Sequence, residues 1–73
     1  MKYEIKTTEN TPTWQWVNGA SVAVTGTKVE VIVPAYSGYT TIYDRVARND
    51  AEYKEAMVEA HRAGADWKQN GLR

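Results

Sequence analysis

The sequence has no cysteine and no phenylalanine, and only 12 of its 73 residues are Leu, Ile or Val. Without cysteine the chain cannot form the disulfides on which small secreted domains usually depend, which favours a reducing compartment. No apolar run approaches the roughly 18 residues that a bilayer crossing needs, and the first residues lack the apolar segment of a secretory signal. We therefore expect a cytoplasmic protein that does not enter a membrane.

The chain also has no net charge, since nine basic side chains balance nine acidic ones. A neutral chain gains no overall electrostatic attraction to DNA or to acidic membranes. The sequence does contain three Trp, five Tyr and eight Val, which supply enough apolar area for a small core. A chain this short folds around one core, so residues 1–73 are expected to form a single domain.

Alternation of apolar and polar residues predicts that the first part of the chain forms β-strands. Asn18-Gly19 is a strong signal for a two-residue hairpin turn, Gly26 indicates a second turn, and Pro34 is expected to end a strand. Short turns make neighbouring strands antiparallel, so the pattern predicts an α+β fold that begins with a meander of four or five strands between about residues 2 and 43. The expected strands are residues 2–8, 13–18, 20–25, 28–33 and 39–43.

The last part of the chain predicts one helix over about residues 50–69, packed on one face of the sheet. Asn49 can cap it, and Glu52, three residues on, can reach back toward the cap. Whether residues 44–48 form a separate turn or continue the helix stays open. Residues at helical spacing form the apolar face that is expected to pack on the sheet: Tyr53, Met57, Ala60, Gly64 and Trp67.

The widths of these elements indicate that part of the sheet stays uncovered. Five strands about 4.8 Å apart make a sheet about 20 Å wide, whereas a helix with its side chains is only about 10–12 Å thick. The sheet could curl around the helix, pair with a second copy, or bind another molecule. Trp14 and Trp16 share a face, and we interpret them as core residues under the helix.

Candidate contact residues are apolar or interface-prone side chains that the pattern places on outer surfaces. Ile32 and Ile42 would form an apolar island on the far face of the sheet if the register brings them side by side. Scattered surface aliphatic residues are also common and need no function, so that alternative stays open. The full set of candidate protein-binding residues is Val17, Ile32, Ile42, Tyr36, Val58 and Arg62.

Catalytic and cofactor signatures are weak in this sequence. The single histidine, His61, has Met57, Val58, Gly64 and Ala65 as its helical neighbours, and none of these is a usual metal ligand. The glycines suit turns and close packing, and they do not form a phosphate-binding loop. We therefore expect no enzyme activity, no cofactor and no metal site.

Single-stranded nucleic-acid binding is the alternative function, because aromatic side chains on a sheet can stack bases. Alternation sends Lys2, Lys6 and Lys28 to the face opposite Trp14 and Trp16, whereas a single-strand binder needs both groups on one side. The favoured hypothesis is a non-enzymatic module that binds another protein or a second copy of itself. Its size, neutral charge and aromatic content are also those of the small inhibitors that phages and other mobile elements direct at larger enzymes, an analogy that no motif supports.

Overall fold

A computed structural model describes residues 2–70 and shows an α+β fold in which an antiparallel sheet is followed by one C-terminal helix. The strands are β1 (Glu4–Val17), β2 (Ala20–Ala35) and β3 (Gly38–Ala47), and the helix is α1 (Asp50–Asn70). The strands lie in the order β1-β2-β3, so each hairpin joins neighbours. The sheet therefore has three long strands, fewer than the four or five that the sequence pattern predicted.

Gly26 accounts for one of the extra predicted strands. It does not form a turn but lies inside β2, opposite Thr11 of β1. A β-carbon added at Gly26 would collide with the backbone carbonyl oxygen of Ala47 and would lie 3.0 Å from Cγ1 of Val46. The glycine is thus needed because the end of β3 passes very close to β2, and the predicted strands 20–25 and 28–33 are one strand.

A bulge at Asn10 accounts for the other extra strand. The register shifts between Thr8 and Thr11, and Asn10 has a φ of 56°, in the left-handed region that asparagine tolerates better than most residues. The Thr11 hydroxyl donates a hydrogen bond to the Thr8 carbonyl oxygen at 3.0 Å across the bulge. The predicted strands 2–8 and 13–18 therefore join into β1.

One of the two hairpin turns lies where the sequence analysis placed it, and the other lies beyond Pro34. Asn18 and Gly19 both have positive φ, at 51° and 81°, as a type I′ turn requires, so this prediction is confirmed. Ala35 pairs with Gly38, which leaves a two-residue turn between β2 and β3. Pro34 does not end β2; it lies beyond the first β1–β2 pair at Ile32, where no β1 partner needs its missing N–H.

The helix begins as predicted, with the Asn49 side-chain oxygen accepting a hydrogen bond from the Glu52 backbone N–H at 2.9 Å. The Glu52 carboxylate reaches back one residue further than expected, to the backbone N–H of Arg48 at 2.9 Å. Residues 44–47 belong to β3, so Val46 is a strand residue and the helix does not extend back through residues 44–48. No helix in residues 2–70 combines the length and apolar character that a bilayer crossing requires.

The core lies between α1 and the middle of the sheet. Its fully buried residues are valines of β2 and alanines of α1, and Gly64 lets the helix approach the ring of Tyr3 closely. Tyr3, Ile5, Tyr43, Met57 and Trp67 pack around this centre and are half-buried. The buried residues of the central cluster are Val29, Val31, Val33, Ala56 and Ala60.

The helix covers the width of the three-stranded sheet but not its length. Its 21 residues span about 31 Å, whereas β2 is a 16-residue strand in a molecule whose longest dimension is 47 Å. β3 pairs with β2 only from Thr27 onward, so residues 11–17 of β1 and 20–26 of β2 pair with each other alone. We call this two-stranded hairpin the arm, and it is the part of the sheet that the helix leaves uncovered. The sequence analysis predicted that part of the width of the sheet would be uncovered, whereas the structure leaves part of its length uncovered.

Candidate functional site

The exposed aromatic side chains of the arm are Trp14 and Trp16, which are 53% and 64% exposed. They lie opposite Ala23 and Ser21, and the rings meet edge to face with centroids 5.9 Å apart. Our interpretation of both as core residues under the helix was therefore wrong, because α1 begins only beyond the base of the arm.

The strand register places both tryptophans on the helix side of the sheet. Opposite residues of an antiparallel pair share a face, and alternate residues of β2 share one too. Ala23 therefore lies on the same face as Val29 of the core, and so does Trp14, which pairs with Ala23. We call this side of the arm the Trp face. Val17 and Val22, each 40% exposed, lie on the opposite face of the arm.

The arm carries no charge. Residues 10–27 contain no Asp, Glu, Lys, Arg or His, although a quarter of the whole chain is charged. Its other side chains are mainly Thr, Ser, Ala, Val and Gln. Charge depletion around exposed aromatic residues is the composition found at the centre of protein interfaces.

Arg48 fixes the arm to the start of the helix. Its Nη1 donates to the Trp14 carbonyl oxygen at 3.1 Å, while its Nε and Nη2 donate to the Glu52 carboxylate at 3.1 and 2.8 Å. Hydrogen bonds from the Arg48 side chain and backbone lower the pKa of Glu52 to about 2. The arm is thus held at a defined position relative to the body, which reduces the ordering cost of a contact through the Trp face.

A polar cavity of about 570 Å³ lies in the corner between the arm and α1. Glu9, Asn10, Arg48, Asp50 and Tyr53 are among the residues that line it. Residues 2–70 contain no group of three or more His, Asp or Glu side chains placed to hold a metal ion. Because Arg48 is held by Glu52, it is not a free cation facing this cavity.

Two polar clusters fasten the helix to the sheet. The Tyr43 hydroxyl donates to Glu59 at 2.6 Å, and Arg45 contacts the same carboxylate at 3.3 Å. Burial, then the Glu59 carboxylate, raises the pKa of Tyr43 to about 12. Elsewhere, the Tyr3 hydroxyl shares a hydrogen bond with Nδ1 of His61 at 3.1 Å. These groups satisfy one another, so each cluster has a structural explanation.

The structure brings few of the predicted contact residues together. Ile32 pairs with Thr41, whereas Ile42 is the extra residue of a bulge in β3. Ile42 lines a shallow groove with Ala63 and Trp67 of the helix, so the expected Ile32–Ile42 island does not form.

The remaining candidates lie far apart. Tyr36 is fully exposed in the β2–β3 turn, at the end of the sheet away from the arm. Val58 and Arg62 lie one turn apart on the exposed side of α1. Only Val17 belongs to the arm. The missed signal was the uncharged stretch of residues 10–27, which the sequence displays directly.

Comparison with known proteins gives no relative: no protein family, no curated protein and no solved structure matches this chain.

Proposed function

We propose that this protein is a non-enzymatic binding module that recognises another protein through the Trp face of its arm. The observation that carries the proposal is the pair of exposed tryptophans on an uncharged arm that Arg48 holds in place. Tryptophan is among the residues that most often dominate the binding energy of protein interfaces.

The exposed area of the two tryptophans sets the extent of the contact. A Trp side chain buries up to about 250 Å², so the exposed fractions of Trp14 and Trp16 offer roughly 300 Å². At about 25 cal/mol per Å², covering this area contributes roughly 7 kcal/mol before the costs of association. Those costs are about 4–15 kcal/mol, so a stable partner must also contact other parts of the arm.

Single-stranded nucleic acid is the alternative ligand, and the exposure of both rings favours it more than the sequence did. Stacking alone is a weak basis for binding, because neutralisation of phosphates supplies much of the affinity for nucleic acids. Residues 10–27 offer no cation, and the nearby Arg48 is held by Glu52. These observations support a protein partner.

We also propose a mode of action and a cellular compartment for this protein. Because the sequence carries no familiar catalytic signature, we expect the protein to act by occupying a surface, which is the mode of the small inhibitors that phages and mobile elements direct at larger enzymes. The absence of cysteine favours a cytoplasmic setting for this contact.

The test replaces Trp16 with the photo-crosslinker p-benzoylphenylalanine, with the same replacement at Tyr36 as the matched control on the opposite end of the sheet. We expect a discrete protein adduct from position 16 in host lysate and none from Tyr36. Trp14→Ser and Trp16→Ser should each weaken capture of that protein at least tenfold while retaining cooperative thermal unfolding.

Two results would contradict the proposal. One is capture of the same protein by both serine variants at wild-type strength. The other is quenching of tryptophan fluorescence by single-stranded oligonucleotides at physiological salt, lost in both variants, with no protein adduct at position 16. The second result would establish nucleic-acid binding instead.

A further inference from the structure

One edge of the arm has no partner strand within residues 2–70. Residues 20–26 of β2 pair with β1 on one side, but on the other side β3 ends at Ala47, opposite Thr27. Such an edge presents unpaired backbone N–H and C=O groups that can accept another strand. The space beside residues 20–26 continues the line of β3.

This edge lacks the features that usually protect exposed strands. Natural edge strands carry charges, prolines or bulges that discourage pairing. The free edge of β1 has all three, since it includes Lys6, the Asn10 bulge and Pro12. Residues 20–26 have none of them. Of the two edges of the arm, the β2 edge is therefore the one that remains competent to pair.

The chain exposes more surface than a compact monomer of its mass. A compact monomer of this mass exposes roughly 4,500 Å², whereas this chain exposes 5443 Å². Its radius of gyration is 14.3 Å, compared with about 11 Å for a compact domain of this length. The excess surface is on the order of the roughly 800 Å² that each partner contributes to a standard interface.

We propose that two copies of this chain pair antiparallel through residues 20–26 of β2. An antiparallel edge complements itself about a two-fold axis, and neither the neutral arm nor the net charge of zero repels a second copy. Because opposite residues must share a face, the axis passes through a residue and not between two. The middle residue of the open edge is Ala23.

Pairing about Ala23 places small or β-branched side chains opposite one another. Val22 of one copy lies opposite Val24 of the other, and Ser21 lies opposite Thr25, combinations that favour cross-strand contact. The axis is perpendicular to the sheet, so both Trp faces lie on the same side of a four-stranded arm. This pairing uses the edge of the arm and goes beyond the proposed function, which uses its face.

The test exploits the absence of cysteine by introducing one at the axis. In Ala23→Cys, the two α-carbons would lie about 4.5–5.5 Å apart, within the Cα–Cα range that disulfides span. We expect mild oxidation to convert most of Ala23→Cys to a linked dimer, while the matched control Tyr36→Cys stays mostly monomeric at the same concentration. Equal linking of the two variants would overturn the proposal.

A second variant tests the pairing without covalent trapping. Ala23→Lys places two ammonium groups opposite each other at the axis, and the exposure of Ala23 means that the monomer can accommodate the new side chain. We expect the wild type and Tyr36→Lys to be dimeric by sedimentation, and Ala23→Lys to be monomeric with unchanged circular dichroism. A wild type that remains monomeric at millimolar concentration would also refute self-pairing.

The outcomes separate this inference from the proposed function. Trp14→Ser and Trp16→Ser chains that dimerise but capture nothing would leave the pairing intact. A monomeric wild type that captures its partner would refute only the pairing.

Discussion

Replacing Gly26 with alanine tests the close approach that makes β2 continuous. The added β-carbon collides with the carbonyl oxygen of Ala47, and backbone cannot rotate aside as a side chain can. Overpacking of this kind costs about 1–3 kcal/mol. The total stability expected for a 73-residue domain is only about 4–11 kcal/mol, so the loss is a large fraction. At about 4–8 °C per kcal/mol, we expect the melting temperature to fall by roughly 4–24 °C.

The same substitution at Gly64 is a matched comparison with a different obstacle. There the new β-carbon would meet the ring of Tyr3, with two ring carbons at 2.6 Å, and this side chain can shift. Alanine also favours the helix over glycine by about 1 kcal/mol, which offsets part of the cost. We therefore expect Gly64→Ala to destabilise less than Gly26→Ala.

Thermal and urea unfolding, followed by circular dichroism, measure both effects. Ser21→Ala, an exposed substitution in the same strand, serves as the neutral control. The range typical of surface substitutions is about 0.5 kcal/mol. A free energy of unfolding for Gly26→Ala within that range of the control would refute the assigned contact between β2 and the end of β3.

Three further results are expected from the polar contacts of the fold. Asn49→Ala removes the helix cap and should cost about 1 kcal/mol in urea unfolding, whereas no loss would argue against the cap. Because the pKa of Glu52 is lowered to about 2 in the folded state, its contribution to stability is present above its ordinary pKa of 4.5 and is lost as pH falls toward 2. In Glu52→Gln, the free energy of unfolding should therefore vary less with pH across that range. An unchanged pH dependence would contradict the Arg48 contact. Ultraviolet titration should show Tyr43 ionising at about pH 12, and Glu59→Gln should lower that value, since the carboxylate raises the pKa in the wild type.

Local patterns predicted the elements whose causes lie within a few residues. The type I′ turn needs positive φ at two adjacent positions, and Asn18-Gly19 is the dipeptide that supplies it. The Asn49 cap and the helical spacing of Ala60 and Gly64 are equally local. These signals identified the α+β fold, the helix and part of its packed face; Tyr53, predicted to pack on the sheet, is 37% exposed, because it lies in the first turn of the helix beside the open corner at the base of the arm.

Long-range contacts caused the main errors. Gly26 resembles a turn residue until Ala47, 21 positions later, is seen to pass beside it. The bulge at Ile42 also depends on how β3 aligns with β2, so no alternation pattern could place Ile42 relative to Ile32. The shared face of Trp14 and Trp16 was correct, but their exposure depends on where the helix starts above the sheet. That point is set by tertiary packing.

The separation of the core from the arm has a consequence for how this sequence can change. Among residues 2–70, every buried side chain belongs to the body, and residues 11–26 contribute none. Most substitutions along the hairpin are therefore tolerable, provided that the Asn18-Gly19 corner and Gly26, which has no room for a β-carbon, both persist. Mutations in the arm can therefore change which partner is bound with little effect on folding. We expect homologous chains to keep the body and to differ in the sequence of the hairpin.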